Sequence, residues 1–493
     1  MLALIPLLPF AGFLVNALVG KRLPKPISGS LATGVMAVSF VIAVMQVLAL
    51  AGMPPEALAY TAYPLDAPAR GRQWQADRPL QPASTMKVLT TAVALDALGP
   101  NWRGRTELLA AGALIDGVLD GPLVLRGGAD ADLDWGALWN LLRQARESGI
   151  REVRGGLRVD RSRFSPARED QVPPFDEAPE FPYNVIPDAL HLNGNLLDLH
   201  LTADAAQLTA RVSPAWPGLR VDASAMALVD APCATWEDHW KLPQVSQDAQ
   251  GTVVRLQGGF PRTCQVKQAL NLVDRDQIDP LALLHLWRQL GGEAPHSGLG
   301  AAPDGARTVA LHLARPLGEL VRGVMKRSDN ALTRLIYLQL GVNPGVNPGA
   351  TPDAQPTRAV AEARVRAWLK ARGIDDTALV LDNGSGLSRS ERLSPTLLAQ
   401  VLATAAQGRN APELLASLPV AGVDGTLSRR FKGGPAEGRA RLKTGTLSNA
   451  VGLAGFVPDA RNRLWVVVAL LNHPDASTKG RPVLDALIDH LAR

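Results

Sequence analysis

Ser84-Thr85-Met86-Lys87 sets a hydroxyl and an amine one helical turn apart, where two side chains share a helix face. A serine hydroxyl is a weak nucleophile until a base takes its proton. Lys87 can be that base only when neutral, and partial burial beside other cations lowers a lysine pKa. Two further strings complete a set for acyl transfer, Ser328-Asp329-Asn330 and Lys443-Thr444-Gly445-Thr446. Ser328 can relay a proton between Lys87 and a leaving amine, while Asn330 can hold Lys87 and a substrate amide. Lys443 supplies positive charge, and Thr444 and Thr446 offer hydroxyls to a carboxylate. Gly445 has no side chain, so substrate can approach a strand edge closely. The backbone N–H groups of Ser84 and Thr446 are candidate oxyanion-hole donors. Each string also has a plainer reading: a helix N-cap, a polar turn capping the next helix, and an exposed edge strand with a solubilising lysine. Their joint, ordered occurrence favours one acylating site.

The elements that must carry these strings follow from periodicity. Residues 57–65 read as a strand. A helix beginning near Ser84 recurs in Met86, Val88, Leu89, Ala92, Val93 and Leu95 until Gly99-Pro100 stops it. Helices bracket the second string, and another spans about 358–371. Residues 441–447 read as a strand, 451–457 and 464–471 as a hairpin, and 482–491 as a closing helix. This is an α+β pattern, an antiparallel sheet with helices packed on it. About 240 residues separate Lys87 from Ser328, room for one or two inserted domains. Pro-rich sequence at 173–187 marks a boundary. Short strands at 196–202, 208–212, 253–256 and 265–272 form a β-rich module. The expected division is 1–52; 53–103 with 312–493; 104–190 with 276–311; and 191–275.

Bulk composition narrows the function. The 493 residues are 46% hydrophobic and 20% charged, an ordinary globular balance with a sizeable core. A net charge of +5 suits an anionic polymer or membrane surface, but no dense basic stripe points to nucleic acid. Eight histidines without a His-Glu-x-x-His string, and two cysteines, argue against a metal centre. Apolar runs at 2–20 and 31–52 flank Lys21, Arg22 and Lys25. They read as a membrane hairpin with its cations inside, as a secretory signal ending in Ala49-Leu50-Ala51, or as buried core helix. The first two readings export everything that follows. In an exported chain Cys233 and Cys264 are expected to pair; otherwise they are two reduced, buried thiols.

From about residue 53 to 493 the chain resembles the class C low-molecular-mass penicillin-binding proteins, which are D-alanyl-D-alanine carboxypeptidases/endopeptidases. The trio of strings is shared with class A β-lactamases. More specific are Pro82-Ala83-Ser84-Thr85-Met86-Lys87, Asp382-Asn383-Gly384-Ser385-Gly386-Leu387-Ser388-Arg389 and Gly422-Val423-Asp424-Gly425-Thr426-Leu427. The resemblance implies a transpeptidase/β-lactamase-like domain with nested inserted domains, the innermost β-rich. It implies Ser84 as acylated nucleophile and Lys87 as its base, with Ser328 and Asn330 as second element and Lys443, Thr444 and Thr446 as carboxylate clamp. Peptidoglycan pentapeptides and cross-links would be substrates, β-lactams would trap Ser84, and no cofactor would be needed. In Val159-Asp160-Arg161-Ser162 the aspartate resembles a residue that meets a diaminopimelate amino group, and Arg389 one that meets its carboxylate. The location implied is periplasmic, with residues 1–52 as a possible membrane tether. Residues 1–45 themselves resemble the N-terminus of NADH-quinone oxidoreductase subunit L, and no respiratory function is carried over from so short a stretch. The alternatives are a β-lactamase, for which no convincing Glu-x-x-x-Asn segment is found, and a non-catalytic wall-binding scaffold.

Overall fold

The computed structural model describes residues 4–19, 52–170, 173–342 and 355–493, with scattered residues between 23 and 41. The chain divides into two compact units. One comprises Met1–Ala97, Val321–Ser328 and Val365–Arg493; the other comprises Leu98–Leu320 and Asp329–Arg364.

The first unit is built on a five-stranded antiparallel sheet, ordered Arg441–Leu447, Ala450–Pro458, Leu464–Asn472, Leu58–Pro64 and Arg72–Trp74. Strands Ala450–Pro458 and Leu464–Asn472 are almost continuously apolar and buried along their length, as strands covered on both faces must be. On one face Val451, Leu453, Val467, Ala469 and Leu471 share a core with Leu484, Leu487, Ile488 and Leu491 of the closing helix Arg481–Ala492. Helix Pro395–Gln407 also packs on the sheet and against helix Met86–Ala97. It starts with Ser394 Oγ accepting from the Leu397 N–H at 3.1 Å and Pro395 at a first-turn position that needs no donor. Helix Met86–Ala97 is buried on all sides from Met86 to Leu95, Lys87 included. A helix enclosed this way needs no polar face, which is why its apolar residues run together.

The second unit has a mixed five-stranded sheet, ordered Ser297–Leu299, Leu157–Asp160, Leu123–Gly128, Arg105–Ala110 and Arg307–Leu313. Helices Trp135–Glu147 and Arg275–Gln289 contribute Leu138, Leu141, Leu142, Leu283 and Trp287 to its core. Two three-stranded sheets from Leu197–Ala203 to Gln265–Leu270 enclose a separate core of Leu199, Leu201, Val254, Leu256 and Phe260. Its strands include Leu219–Val229 and Trp240–Asp248, which the sequence pattern did not reveal because their side chains are mostly exposed or half-exposed. Cys233 and Cys264 are joined by a disulfide in this β-rich part.

The membrane hairpin finds no support. The first apolar run forms a helix over Leu4–Val19 with Pro9 inside it. Its 16 residues reach about 24 Å, short of a hydrocarbon core of about 30 Å. Among the described residues no helix is long and apolar enough to cross a membrane. Most of the second run lies outside the described residues.

Candidate active site

Ser84 sits in a 3-10 turn, Ala83–Thr85, that runs into helix Met86–Ala97. Ala83 holds φ +45°, a left-handed conformation that costs a non-glycine residue on the order of 1 kcal/mol. The turn is locked by Thr85 Oγ1 donating to the Pro82 carbonyl at 2.7 Å. Ser84 is therefore not a helix cap. Its Oγ accepts from Lys87 Nζ at 3.1 Å, while Lys87 also donates to the Ser385 carbonyl. Lys87 is fully buried and Ser84 only partly, so the hydroxyl is reachable and the amine is not.

Ser328 follows helix Leu317–Arg327 at φ +61°, a left-handed helix-ending conformation. Asp329 then caps the next helix, Asn330–Leu340, its carboxylate accepting from the Leu332 N–H at 2.9 Å. The turn-and-cap reading of the second string is thus met by its middle residue, which leaves the flanking serine hydroxyl for other partners. Asn330 belongs to the second unit, where its amide donates to the Tyr183 carbonyl at 2.9 Å.

Lys443 is not an exposed edge cation. It is fully buried, and its Nζ donates to Ser328 Oγ at 2.9 Å and to the Thr444 carbonyl at 2.7 Å. Burial, then the charge of nearby Lys87, holds the Lys443 amine well below the ordinary lysine range. The first unit therefore brings together Ser84, Lys87, Ser328 and Lys443 as two lysine–serine pairs. Thr444 Oγ1 donates to Thr426 Oγ1 at 2.8 Å, and the Thr446 side chain is exposed.

Strand Arg441–Leu447 is an edge of its sheet. The Leu442 N–H turns away from the sheet to the Pro419 carbonyl at 2.9 Å. Backbone groups alternate sides along a strand, so the N–H groups of Thr444 and Thr446 face the same open edge. Gly445 differs from its expected use. A Cβ there would meet the Pro82 carbonyl at 2.7 Å and Ser84 N at 3.2 Å, so its bare face is occupied by the nucleophile's own turn.

The sequence reading missed several supports. Glu391 is completely buried, and its carboxylate accepts from the N–H groups of Asp382 at 3.3 Å, Asn383 at 3.1 Å, Gly384 at 2.7 Å and Gly386 at 2.8 Å. Burial pushes this carboxyl up against the opposing pull of those N–H donors. Asp424 accepts from Lys326 Nζ at 2.6 Å and from the Val420 N–H at 2.8 Å, fixing the segment that presents Thr426. Burial alone would raise the Asp424 carboxyl, but these bonds bring it below the usual carboxylate range. A glycine- and serine-rich loop that needs acceptors for its N–H groups was the available signal for Glu391.

Arg389 is exposed, its carbonyl accepting from Arg392 at 2.9 Å. Asp160 in the second unit is 2% exposed, its two oxygens accepting from the N–H groups of Ser162 at 2.8 Å and Ala302 at 2.9 Å. Among the described residues no group of three or more His, Cys, Asp or Glu is arranged to hold a metal ion.

The fold is mixed α+β with multiple sheets and inserted domains. It matches the crystal structure of penicillin binding protein 4 (dacB) from Haemophilus influenzae with a TM-score of 0.73 at 24% identity, covering 92% of this chain and 99% of that one. The D-alanyl-D-alanine carboxypeptidase DacB of Haemophilus influenzae is 28% identical over 79% of this chain and 80% of its own length. The D-alanyl-D-alanine carboxypeptidase of Actinomadura sp. strain R39 is 30% identical over 84% of this chain and 77% of its own. The chain belongs to the D-Ala-D-Ala carboxypeptidase 3 (S13) family, which matches residues 43–491, and is a serine-type D-Ala-D-Ala carboxypeptidase. Residues 1–42 lie outside that match.

Proposed function

We propose that Ser84 cleaves the terminal D-Ala-D-Ala bond of peptidoglycan stem peptides through an acyl-enzyme. The observation that carries this is the buried Lys87 amine 3.1 Å from the reachable Ser84 hydroxyl. Lys87 takes the proton as Ser84 Oγ attacks the carbonyl carbon. The Ser84 and Thr446 N–H groups receive the developing oxyanion, a role supported by the outward face of the edge strand. The proton passes to the departing D-alanine nitrogen by way of Ser328, whose Oγ is held by Lys443. Water, deprotonated in the same way, then hydrolyses the ester and restores Ser84.

An extended peptide adding to the open strand edge fits this chemistry. Thr444, Thr446 and Lys443 are proposed to meet the terminal carboxylate, and Gly445 to keep the strand close to Ser84. Asn330 is assigned to the substrate amide on its place in the second string. Arg389 is proposed to meet a stem-peptide carboxylate. Asp160 would have to offer an amino group lone pairs not used by Ser162 and Ala302. Cleavage of cross-links, the endopeptidase reaction, uses the same steps with a different leaving amine. Three apolar cores support the nesting of 53–103 with 312–493, 104–190 with 276–311, and 191–275, although Leu192 joins the second core and Ile278 and Ala282 the third. A periplasmic location is proposed from the export signals in residues 1–52, and subcellular fractionation tests it.

The deciding experiment is time-resolved intact mass with benzylpenicillin, with peptide mapping, beside D-alanine release from a pentapeptide. A persistent adduct on Ser84 with D-alanine release is expected, both absent in Ser84→Ala. Penicillin consumed without accumulating adduct would mean a β-lactamase. No adduct and no D-alanine would leave a scaffold.

A further inference from the structure

Lys87 Nζ donates to Ser84 Oγ at 3.1 Å and also to the backbone carbonyl of Ser385, in the loop 382–386. The neighbouring carbonyl, Gly384, accepts from Thr90 Oγ1 at 2.6 Å, one turn further along the same helix. Consecutive carbonyls of this loop thus face the helix that bears the Ser84–Lys87 pair. The opposite side of the loop explains why. N–H groups of Asp382, Asn383, Gly384 and Gly386 converge on the two oxygens of Glu391, so the backbone is folded around a buried carboxyl group. Peptide units that point N–H groups inward at an acceptor point intervening carbonyls outward. Gly386, at φ +81°, lets the loop close on the Ser84 turn, since a Cβ there would meet the Ala83 carbonyl at 1.9 Å.

We propose that Glu391 is a positioning residue for acylation: its buried carboxylate shapes loop 382–386 into the acceptor that holds Lys87 Nζ against Ser84. The inference rests on the reading of Lys87 as base. Glu391 touches neither substrate nor the reacting atoms, so it acts on the rate of proton transfer and leaves substrate binding alone. A shift of about an ångström in a catalytic group is enough to cost about 100-fold in rate.

The test is the acylation rate of Glu391→Gln and of Thr90→Val by benzylpenicillin, followed by mass over a concentration range. Rates are normalised to the sites finally labelled, which removes any unfolded fraction. Expected for Glu391→Gln is a saturating rate lower by about 10- to 100-fold, with the half-saturating concentration within about threefold of wild type. Thr90→Val keeps its shape and deletes only the bond to Gly384; it is expected to lose about threefold in the same rate. Should Glu391→Gln not fold, Thr90→Val decides. An unchanged saturating rate in the folded variants, or a loss confined to half-saturation, overturns the inference. A wild-type protein that forms no Ser84 adduct sinks the underlying assignment of Ser84 and this inference with it.

Discussion

At Lys443 stability and catalysis pull in opposite directions. A buried amine with a depressed pKa is paid for by the rest of the core, because burial disfavours its charged form. Lys443→Met is expected to lower acylation by about 100-fold, since the hydrogen bond that holds Ser328 Oγ is lost. The same change is expected to leave thermal stability unchanged or raised, because a shape-filling apolar side chain replaces a buried amine that burial disfavours. Parallel acylation kinetics and thermal melts check both halves. His191 makes a second residue-scale case. It is fully buried in the second unit, and burial pushes its pKa down to about 4, with Asp329 opposing and Arg275 adding to the shift. The unfolded chain therefore binds a proton near pH 6.5 that the folded chain does not take up until about pH 4. Stability rises with pH across that window and is lost as pH falls through it. Melts from pH 7 to 4 should show a shallower acid loss for His191→Gln than for wild type.

At the scale of elements, the site depends on how closely an edge strand approaches a turn. Strand Arg441–Leu447 lies against residues 82–84 through Gly445, and Ala83 is held left-handed in the same contact. Gly445→Ala is expected to push strand and turn apart. We expect a stability loss of about 1–3 kcal/mol from overpacking, and a saturating acylation rate lower by about 100-fold. Denaturant melts and adduct kinetics measure the two. A rate equal to wild type would mean that the strand does not set the position of Ser84.

At the scale of the whole molecule, the two units have cores of their own, and the disulfide belongs to only one. Cys233 and Cys264 close a loop of 31 positions, which in the chain-entropy picture stabilises by about 3–4 kcal/mol. Reduction is expected to lower the melting of the second unit and expose its β-rich part to protease. Ser84 labelling by benzylpenicillin, read below that melting temperature, should persist. Loss of labelling on mild reduction would show that the site depends on the β-rich part.

Local chemistry was legible in the chain itself. The serine–lysine spacing, the helix from Met86, strand Arg441–Leu447, the hairpin after it and the closing helix all express periodicities of 3.6 or 2, which short stretches of sequence carry unaided. What tertiary structure alone decided were partners far apart in the chain. Lys443 was read as a positive charge for a carboxylate, with an exposed edge cation as the plainer alternative, and it is buried on Ser328; Gly445 was expected to admit substrate and instead admits the turn of Ser84. Asp160 was expected, from the resemblance, to meet an amino group of the substrate, and its buried carboxylate accepts from the backbone N–H groups of Ser162 and Ala302. Strands Leu219–Val229 and Trp240–Asp248 escaped because both of their faces are largely exposed or half-exposed, so no buried face imposes an alternation. Glu391 escaped because its partners are main-chain N–H groups, which every residue but proline carries, so the glycine- and serine-rich loop signals a need for an acceptor without identifying which residue supplies it. Spacing along the chain specifies which groups share a helix face or a strand, whereas burial, and with it the ionisation of a lysine or glutamate, depends on what other segments bring to it.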